Sequence, residues 1–147
     1  LRSSAVNHRF DPLYGTPHKF WGTMDYFYVG TGSPTGGLNN PFFKTKYKSG
    51  SGKFNAGIDY HWFALAADMA GSNGKAISRY LGSEMDLALQ YNPFKFISIE
   101  GGLSYMISSN SMAYAKNQLP ANVQRVNSWA WLQVSVRPEV IVAAGSR

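Results

Sequence analysis

Acidic side chains two residues apart are the first candidates for chemistry in this sequence. Glu84 and Asp86 share one run of alternating residues, and Glu100 lies in the next run. A pair of carboxylates can act as acid and base on a glycosidic bond. In the wall of a water-filled channel, the same carboxylates would set a local field that biases ion selectivity. We favour the channel interpretation and predict that the chain is not an enzyme.

The histidines and serines form no recognisable catalytic or metal-binding motif. His8, His18 and His61 are widely separated, no HExxH pattern is present, and the sequence contains no cysteine. Thiolate ligands, disulfides and cysteine nucleophiles are therefore excluded. No GxSxG elbow occurs, although Asp59 and His61 would share one face of a strand, which leaves a serine hydrolase site as a weaker alternative. We predict no metal and no cofactor.

The composition narrows the class of protein. Charged residues make up 15% of the 147 residues, aromatic residues also make up 15%, and there are 15 glycines. Soluble domains carry about 25% charged residues, so this balance suits a membrane β-barrel, and a secreted β-sandwich could also show it. The net charge is +6. An RNA-binding strand at 44–48 is an alternative, but the basic residues are scattered, and we expect no nucleic-acid partner.

Alternation of apolar and polar residues is the main structural signal. Met85, Leu87 and Leu89 alternate with polar positions, and the alternation resumes after a break at Asn92-Pro93. A period of two predicts strands with one apolar and one polar face. We expect Met85, Leu87 and Leu89 to face lipid, because the polar set would then line a wet lumen.

The connections between the predicted strands alternate in length. They are long at 31–41, 68–82 and 108–127, and short at 49–52 and 92–95. This alternation places the short turns at one end of the sheet and the long loops at the other, as in outer-membrane barrels. The strands also run about 9 to 12 residues, close to the length that spans a bilayer.

The polar positions of these strands predict a pore wall. If the strands belong to a barrel, the residues that line the lumen are Lys44, Lys46, Asp59, His61, Glu84, Asp86, Gln90 and Glu100. Aromatic residues near the strand ends, including Tyr47, Tyr60, Trp62, Tyr91 and Tyr105, would form the girdles found at membrane interfaces.

Several stretches resemble a known family. They are FDPLYGTPHKFWGTMDYFYVG (Phe10 to Gly30), FNAGIDYHWFALAADM, LGSEMDLALQYNPFKFISIEGGLSYM and SWAWLQVSVRPEV. Over residues 8–140 the sequence resembles the C-terminal part of alginate-export-like outer-membrane proteins, in particular porin-like members from Bacteroidetes. The resemblance implies a passive channel in the bacterial outer membrane. It also implies that a loop carrying Arg9, Asp11, His18, Lys19 and Asp25 folds toward the pore and narrows it.

The fold prediction is an all-β, antiparallel, up-and-down transmembrane barrel. A single domain over 1–147 would comprise a loop and aromatic segment at 1–40, five meander strands at 41–137 and a tail at 138–147. Five or six strands are too few to close a membrane barrel. We therefore expect the C-terminal strands of a larger barrel, completed by its remaining strands or by other envelope subunits.

The predicted function is passive passage of small or anionic or saccharide solutes across the outer membrane, with outer-membrane lipid as the surrounding partner. Two alternatives stay open. The first is a soluble, lipocalin-sized all-β ligand-binding module with its apolar set inward. The second is an envelope subunit that completes a barrel with partner chains.

Overall fold

The computed structural model describes residues 16, 18, 20–28, 32–72 and 74–138, most of which lie in an antiparallel β-sheet or its connections. The strands are β1 (Leu38–Asn39), β2 (Phe42–Lys48), β3 (Phe54–Leu65), β4 (Tyr80–Phe94), β5 (Ile97–Ser108) and β6 (Val126–Val136). A short helix, α1 (Asn110–Ala115), and a 3₁₀ turn (Pro120–Asn122) lie between β5 and β6. The prediction of an all-β chain is confirmed.

The strands pair in the order of the chain. Each of β2 to β6 is antiparallel to its neighbours, and β1 pairs with the end of β3 beyond β2. One edge of the described sheet is therefore β6, and the other is formed by β1 and β2 together. Tight turns join β2 to β3 and β4 to β5 at one end, whereas the longer connections lie at the other end, as the loop lengths predict.

The register keeps the two side-chain sets on opposite faces across the whole sheet. One row runs from Ile58 through Leu87 and Leu103 to Ala130, and the rows on either side of it continue the apolar set. Residues that pair directly across neighbouring strands point to the same side. The sheet therefore has an apolar face and a polar face. A one-residue slip in any strand would move the apolar side chains of that strand to the polar face.

Strand β4 is longer than its alternation predicts. It begins at Tyr80 and continues through Asn92-Pro93 to Phe94, so the turn falls at residues 95–96 and not at 92–95. The register shifts between Tyr91 and Phe94. Pro93 has no N–H to donate to the sheet, and an irregular stretch of pairing is where a strand tolerates proline.

The predicted long polar loop at 108–127 contains helix α1. Ser109 precedes the helix, and its Oγ donates a 2.7 Å hydrogen bond to the backbone oxygen of Tyr80. Met112 is buried, which fixes the helix against the sheet. Within the described chain, no helix is long and apolar enough to cross a membrane.

The buried hydrophobic cluster lies at the end of the sheet that carries the long loops. Its members come from the strands, from α1 and from residues 20–28: Phe27, Phe63, Leu65, Leu81, Met106 and Met112. Phe63 and Met106 continue the strand positions of the polar face. The core therefore forms on the polar side of the sheet, and the apolar face does not take part in it.

Candidate functional site

The polar face is the candidate site, because the structure brings the predicted pore-lining residues together on it. Register and strand parity place the whole set on one side: Lys44, Lys46, Asp59, His61, Glu84, Asp86, Gln90 and Glu100. The face divides into two halves. The half toward the long loops is covered and contains the buried side chains of His61, Glu84 and Asp86, whereas the half toward the short turns is open.

Residues 20–28, here called the docked segment, cover the first half through hydrogen bonds to two carboxylates. The backbone N–H of Thr23 donates to Asp86 at 3.3 Å, and the Thr23 hydroxyl donates to the same carboxylate. The Thr23 hydroxyl also lies 2.6 Å from the Ser104 hydroxyl. The backbone N–H of Met24 donates to Glu84 at 2.8 Å. The segment therefore binds the sheet by its own backbone.

These contacts compensate carboxylates that water does not reach. Glu84 is 0% exposed and Asp86 is 6% exposed. Burial of a carboxylate is costly unless charge-assisted hydrogen bonds replace its hydration. Amide N–H groups can approach this closely because Gly22 has no side chain, and a Cβ there would overlap the Glu84 carboxylate. The φ of +85° at Gly22 also favours glycine.

Two aspartates oppose each other at the centre of the covered half. Asp59 on β3 pairs in register with Asp86 on β4, an arrangement of like charges that is unfavourable by itself. Lys44 on β2 forms a salt bridge with Asp59. Asp59 is bound by this cation and Asp86 is bound by Thr23, so each carboxylate has its own partner.

His61 lies in an aromatic stack beside this carboxylate pair. Its ring is stacked on Phe42 and Phe63, with centroids 5.6 and 5.9 Å away. Its Nδ1 is 3.1 Å from the side-chain amide of Asn40. Across the described residues, His61 Nε2 and Glu84 Oε2 are the buried side-chain atoms that lack a hydrogen-bond partner. The side chains of the covered half are therefore closely packed, but two of their buried polar atoms have no hydrogen-bond partner.

His18 and Asp25 lie where the docked segment approaches β6. His18 Nδ1 is 3.0 Å from Asp25 Oδ2, and the His18 ring is stacked on Trp129 with centroids 5.6 Å apart. Both residues have positive φ, 56° and 53°. These two members of the predicted constriction loop thus lie beside the polar face. The others, Arg9, Asp11 and Lys19, lie outside the described residues.

The other side of the docked segment is bound by helix α1 and β6. Lys116 donates a hydrogen bond to the backbone oxygen of Tyr26, and its ammonium lies 4.3 Å from the centre of the Phe27 ring. Asn127 donates a 2.7 Å hydrogen bond to the Tyr26 hydroxyl. Burial lowers the pKa of Lys116 to about 8. Burial also raises the pKa of Tyr26, which the Asn127 hydrogen bond partly opposes.

The open half contains a cleft of about 490 Å³. Gly57 and Ala88 form its floor, and the Trp131 indole forms one wall. Gly102 lies directly against this indole, and a Cβ at position 102 would overlap it. Small residues on the neighbouring strands therefore create the space, and Trp131 lies against the sheet beside it.

Polar side chains at the short-turn end of the cleft form a continuous network. Asn55 donates to Gln90 at 2.9 Å, and Gln90 donates to Ser98 at 3.2 Å and to Glu100 at 3.1 Å. Ser98 also donates to Glu100 at 3.0 Å. Lys46 and Lys48 also line the cleft. The open half thus presents acidic and basic groups in one cleft.

The chemistry available to this face is electrostatic. No group of three or more metal-ligating side chains forms among the described residues. Asp86 and Glu84 are occupied by the docked segment, and Glu100 is held by its amide and hydroxyl neighbours.

Several residues of this site are not apparent in the sequence pattern. Thr23, Gly22 and Lys116 lie in irregular segments, where nothing predicts their contact with the sheet. Trp131 could have been identified, because strand parity places it on the same face as Gln133 and Ser135. The alternation alone therefore places this aromatic side chain on the polar face.

Comparison with known proteins finds no matching family model, no matching curated protein and no matching solved structure. The resemblance to alginate-export-like proteins therefore stays a prediction.

Proposed function

We propose that this chain forms part of the wall of an outer-membrane channel. The proposed architecture is an antiparallel transmembrane β-barrel through which small polar, anionic or saccharide solutes pass passively. One observation supports it above the others: the apolar face is exposed to the surroundings, while the charged face is partly covered by the chain itself. The bacterial outer membrane is the proposed location, and its lipid is the proposed partner of the apolar face.

The apolar face is too large and too continuous for a typical water-exposed surface. Met85 is 53% exposed, Leu103 is 51% exposed and Leu132 is 75% exposed. The rows that contain them also include the exposed large hydrophobic residues Tyr105, Leu87 and Leu89. Soluble monomers rarely expose contiguous apolar patches beyond a few hundred Å². A hydrocarbon environment would favour this face, because lipid-facing strands alternate apolar-out and polar-in.

Aromatic side chains form a row at each end of the apolar face. Tyr47, Phe54 and Tyr91 lie near the short turns, and Tyr60 and Tyr105 lie toward the long loops. Phe54 and Tyr60 are six residues apart on β3, about 20 Å along a strand. The apolar band of outer-membrane barrels is about 25 Å tall and is bordered by aromatic girdles. The spacing of the two rows supports the same role.

The polar face suits the lumen in this proposal, and the docked segment would narrow the lumen from the long-loop end. The cleft near the short turns stays open beside Lys46 and Glu100. The charged groups that line the cleft would select solutes by their charge distribution and not by a chemical reaction. We therefore retain the prediction that the chain carries no enzymatic activity.

The number of strands sets a requirement for the complete assembly. The described sheet has six strands, of which β1 is only two residues long. Bacterial single-chain barrels have at least about eight strands. The edges at β2 and β6 would then pair with further strands, contributed by the same polypeptide or by envelope subunits.

Two substitutions at adjacent positions of β4 test which face contacts lipid. Leu87 lies on the apolar face and Ala88 on the polar face. Arginine at 87 should cost about 2 to 4 kcal/mol of folding free energy in a bilayer if it lies near mid-membrane. Arginine at 88 should cost much less, because it enters a wet cleft. The measurement is urea-dependent folding into phosphatidylcholine vesicles, followed by heat-dependent gel mobility.

The same experiment has a clear contrary outcome. A chain that is monomeric in buffer without detergent, and that tolerates Leu87→Arg as well as Ala88→Arg, is not a membrane channel. That result would favour the soluble ligand-binding module. A further control is Glu100→Gln in the open half, which should leave insertion unchanged and alter ion selectivity in planar bilayers.

A further inference from the structure

A row of small residues crosses the open half of the polar face. It runs in register through Gly57 on β3, Ala88 on β4 and Gly102 on β5. Both ends of this row carry large side chains, since Lys46 on β2 pairs with Gly57 and Trp131 on β6 pairs with Gly102. The floor carries at most a methyl group at each position, so the cleft is a trough between a cationic strand and an aromatic one.

The next row toward the short turns carries the polar groups of the cleft. Lys48 on β2, Asn55 on β3, Gln90 on β4 and Glu100 on β5 pair in register one after another. Lys48 and Glu100 are thus three strands apart, with about 14 Å between their backbones. The side-chain amides of Asn55 and Gln90 lie between them and are joined by a 2.9 Å hydrogen bond. The cleft therefore has a cationic side, a hydrogen-bonding middle and an anionic side.

Glu100 keeps an acceptor for a ligand. Gln90 and Ser98 both donate to Oε1 of Glu100, at 3.1 and 3.0 Å. These donors are neutral and leave the negative charge in place, and a carboxylate has acceptor sites on both of its oxygens. Glu100 is also the carboxylate among the side chains that line the cleft. A cationic group that donates to Oε2 would therefore meet a negative charge already held in position by the sheet.

The cations of the cleft differ from the lysine of the covered half. Toward the long loops, Lys44 is bound to Asp59, and Asp86 is bound by the docked segment. Lys46 and Lys48 continue the same face of β2 toward the short turns, and both are exposed. The two carboxylates of the adjacent row are therefore engaged by other groups, and Lys46 and Lys48 can bind an anionic group in the cleft.

The Trp131 indole supplies an aromatic surface at the anionic side. Glu100 pairs with Gln133 on β6, and Trp131 lies two residues before Gln133 on the same face. Such diagonal neighbours are about 7–8 Å apart, within reach of aromatic and long side chains. An ammonium group bound to Glu100 would lie close to this indole, whose ring face attracts a cation. An apolar side chain next to that ammonium would pack on the same ring.

We propose that the cleft binds a short zwitterionic peptide in an extended conformation. The amino terminus of the peptide lies at Glu100 beside Trp131, and its carboxyl terminus lies at Lys46 and Lys48. The inference rests on the proposed channel function for the role of the peptide, which is that of a passing solute, and it names the chemical class of that solute.

The geometry of the sheet sets the length of the peptide. An extended chain spans at most about 3.3 to 3.6 Å per residue, so three or four residues match the distance of about 14 Å between the charged strands. The charges favour a peptide over a sugar. A neutral saccharide would use the indole but neither charge, and an anionic saccharide would be repelled by Glu100.

The test measures binding of the peptide leucyl-triglycine to the full chain in detergent micelles by isothermal titration calorimetry. The peptide is used with free termini, with an acetylated amino terminus, with an amidated carboxyl terminus and with both termini blocked. The chain is used in its native form, as Glu100→Gln, as the double variant Lys46→Gln with Lys48→Gln, and as Trp131→Ala. Lys53→Gln is the matched control, because it removes an exposed positive charge near the same turn without lining the cleft.

Acetylation and amidation should each weaken binding to the native chain about fivefold, as expected for a partly exposed ion pair. Acetylation should have no further effect in Glu100→Gln, and amidation should have none in the double lysine variant, because each variant lacks the partner of that terminus. Lys53→Gln should bind like the native chain. The native chain should also prefer leucyl-triglycine to tetraglycine, and Trp131→Ala should lose that preference.

The contrary outcomes separate this inference from the channel. Equal affinity for the free and the doubly blocked peptide, or binding of maltotetraose in place of the peptide, would overturn the peptide site without relying on any variant. Insertion of the same chain into phosphatidylcholine vesicles, measured by heat-dependent gel mobility, would then leave the channel intact. Charge-dependent peptide binding by a chain that is monomeric in buffer without detergent would support the peptide site and overturn the channel. Neither binding nor insertion would overturn both.

Discussion

The two halves of the polar face lie on the same strands and contain similar residue types, but their carboxylates are bound by different partners. In the covered half, the docked segment binds Glu84 and Asp86 with backbone N–H groups and a hydroxyl. In the open half, Glu100 is bound by Gln90 and Ser98, and water can reach it. One half is therefore built from contacts between residues far apart in the chain, and the other from neighbours within the sheet.

The difference shows that a polar position in a strand can be either buried or accessible to water. Glu84 and Glu100 both occupy polar positions in alternating runs. What separates them is Thr23 and Met24, about sixty residues earlier than Glu84 in the chain. Substitutions that weaken the docked segment should make the covered half behave like the open half, and the size of each effect should follow the number of contacts removed.

The largest effect should come from Gly22→Ala. The added Cβ would overlap the buried Glu84 carboxylate, and the alanine would have to adopt the positive φ of this position. We expect a loss of about 3 kcal/mol in unfolding free energy. Gly74→Ala is the matched control, because it has φ +72° and no atom close to the added Cβ. Urea unfolding followed by tryptophan fluorescence measures both, and equal losses would mean that the Glu84 contact contributes nothing.

A smaller effect is expected from Thr23→Val. The change keeps the side-chain shape and removes the hydroxyl that contacts Asp86 and Ser104. Asp86 would keep only the 3.3 Å backbone contact from Thr23, so we expect a loss of about 2 kcal/mol. Ser98→Ala removes a hydroxyl from the open half and should cost less than about 0.5 kcal/mol, because water can replace it. A reversed order of the two losses would contradict the division of the face into a covered and an open half.

The pH dependence of stability should reveal the contact of Lys116 with the docked segment. Burial lowers the folded-state pKa of Lys116 to about 8 from an ordinary value of 10.5. Between these values Lys116 binds more protons in the unfolded chain than in the folded chain, so its own contribution to stability should rise with pH. We expect this contribution to grow by about 1 kcal/mol from pH 7 to pH 9.5, because partial exposure and the Tyr26 contact reduce the full effect.

Lys116→Met isolates this contribution. The difference in unfolding free energy between the native chain and this variant should grow in favour of the native chain between pH 7 and pH 9.5. The corresponding difference for Lys75→Met, at an exposed position in a loop, should stay constant. Tyr26 does not interfere in this range, because burial raises its pKa from 10.0. Thermal unfolding at several pH values provides the measurement. A difference between the native chain and Lys116→Met that does not change with pH would mean that Lys116 does not contribute.

The sheet could be predicted from the sequence because alternation is local. The period of two identified the main strands and their two faces, and the loop lengths placed both tight turns at the correct end of the sheet. The register places the predicted wall residues on one side. The extension of β4 through Pro93 was missed, because a proline normally marks a turn. Helix α1 was missed because six residues with mixed polarity give no clear helical period.

The covered half could not be predicted from the residues alone, because no local pattern encodes it. Thr23 is one threonine in an aromatic-rich segment, and its partners Asp86 and Ser104 lie 63 and 81 residues away. The need for glycine at position 22 depends on the position of Glu84, which only the folded chain defines. The resemblance placed His18 and Asp25 in an inward loop, but it gave no contact of that loop with the sheet.

The smallest effect on stability should come from Glu100→Gln, and it sharpens the comparison most. Glutamine can keep an oxygen acceptor for Gln90 and Ser98, so unfolding free energy should change by less than about 0.5 kcal/mol. In planar bilayers, however, removal of this negative charge opposite Lys46 and Lys48 should shift selectivity toward anions, and Lys46→Gln should shift it toward cations. Opposite shifts with unchanged stability would identify the open half as the part of the wall that passing ions sense. Unchanged selectivity in both variants would mean that the cleft does not face the conducting path.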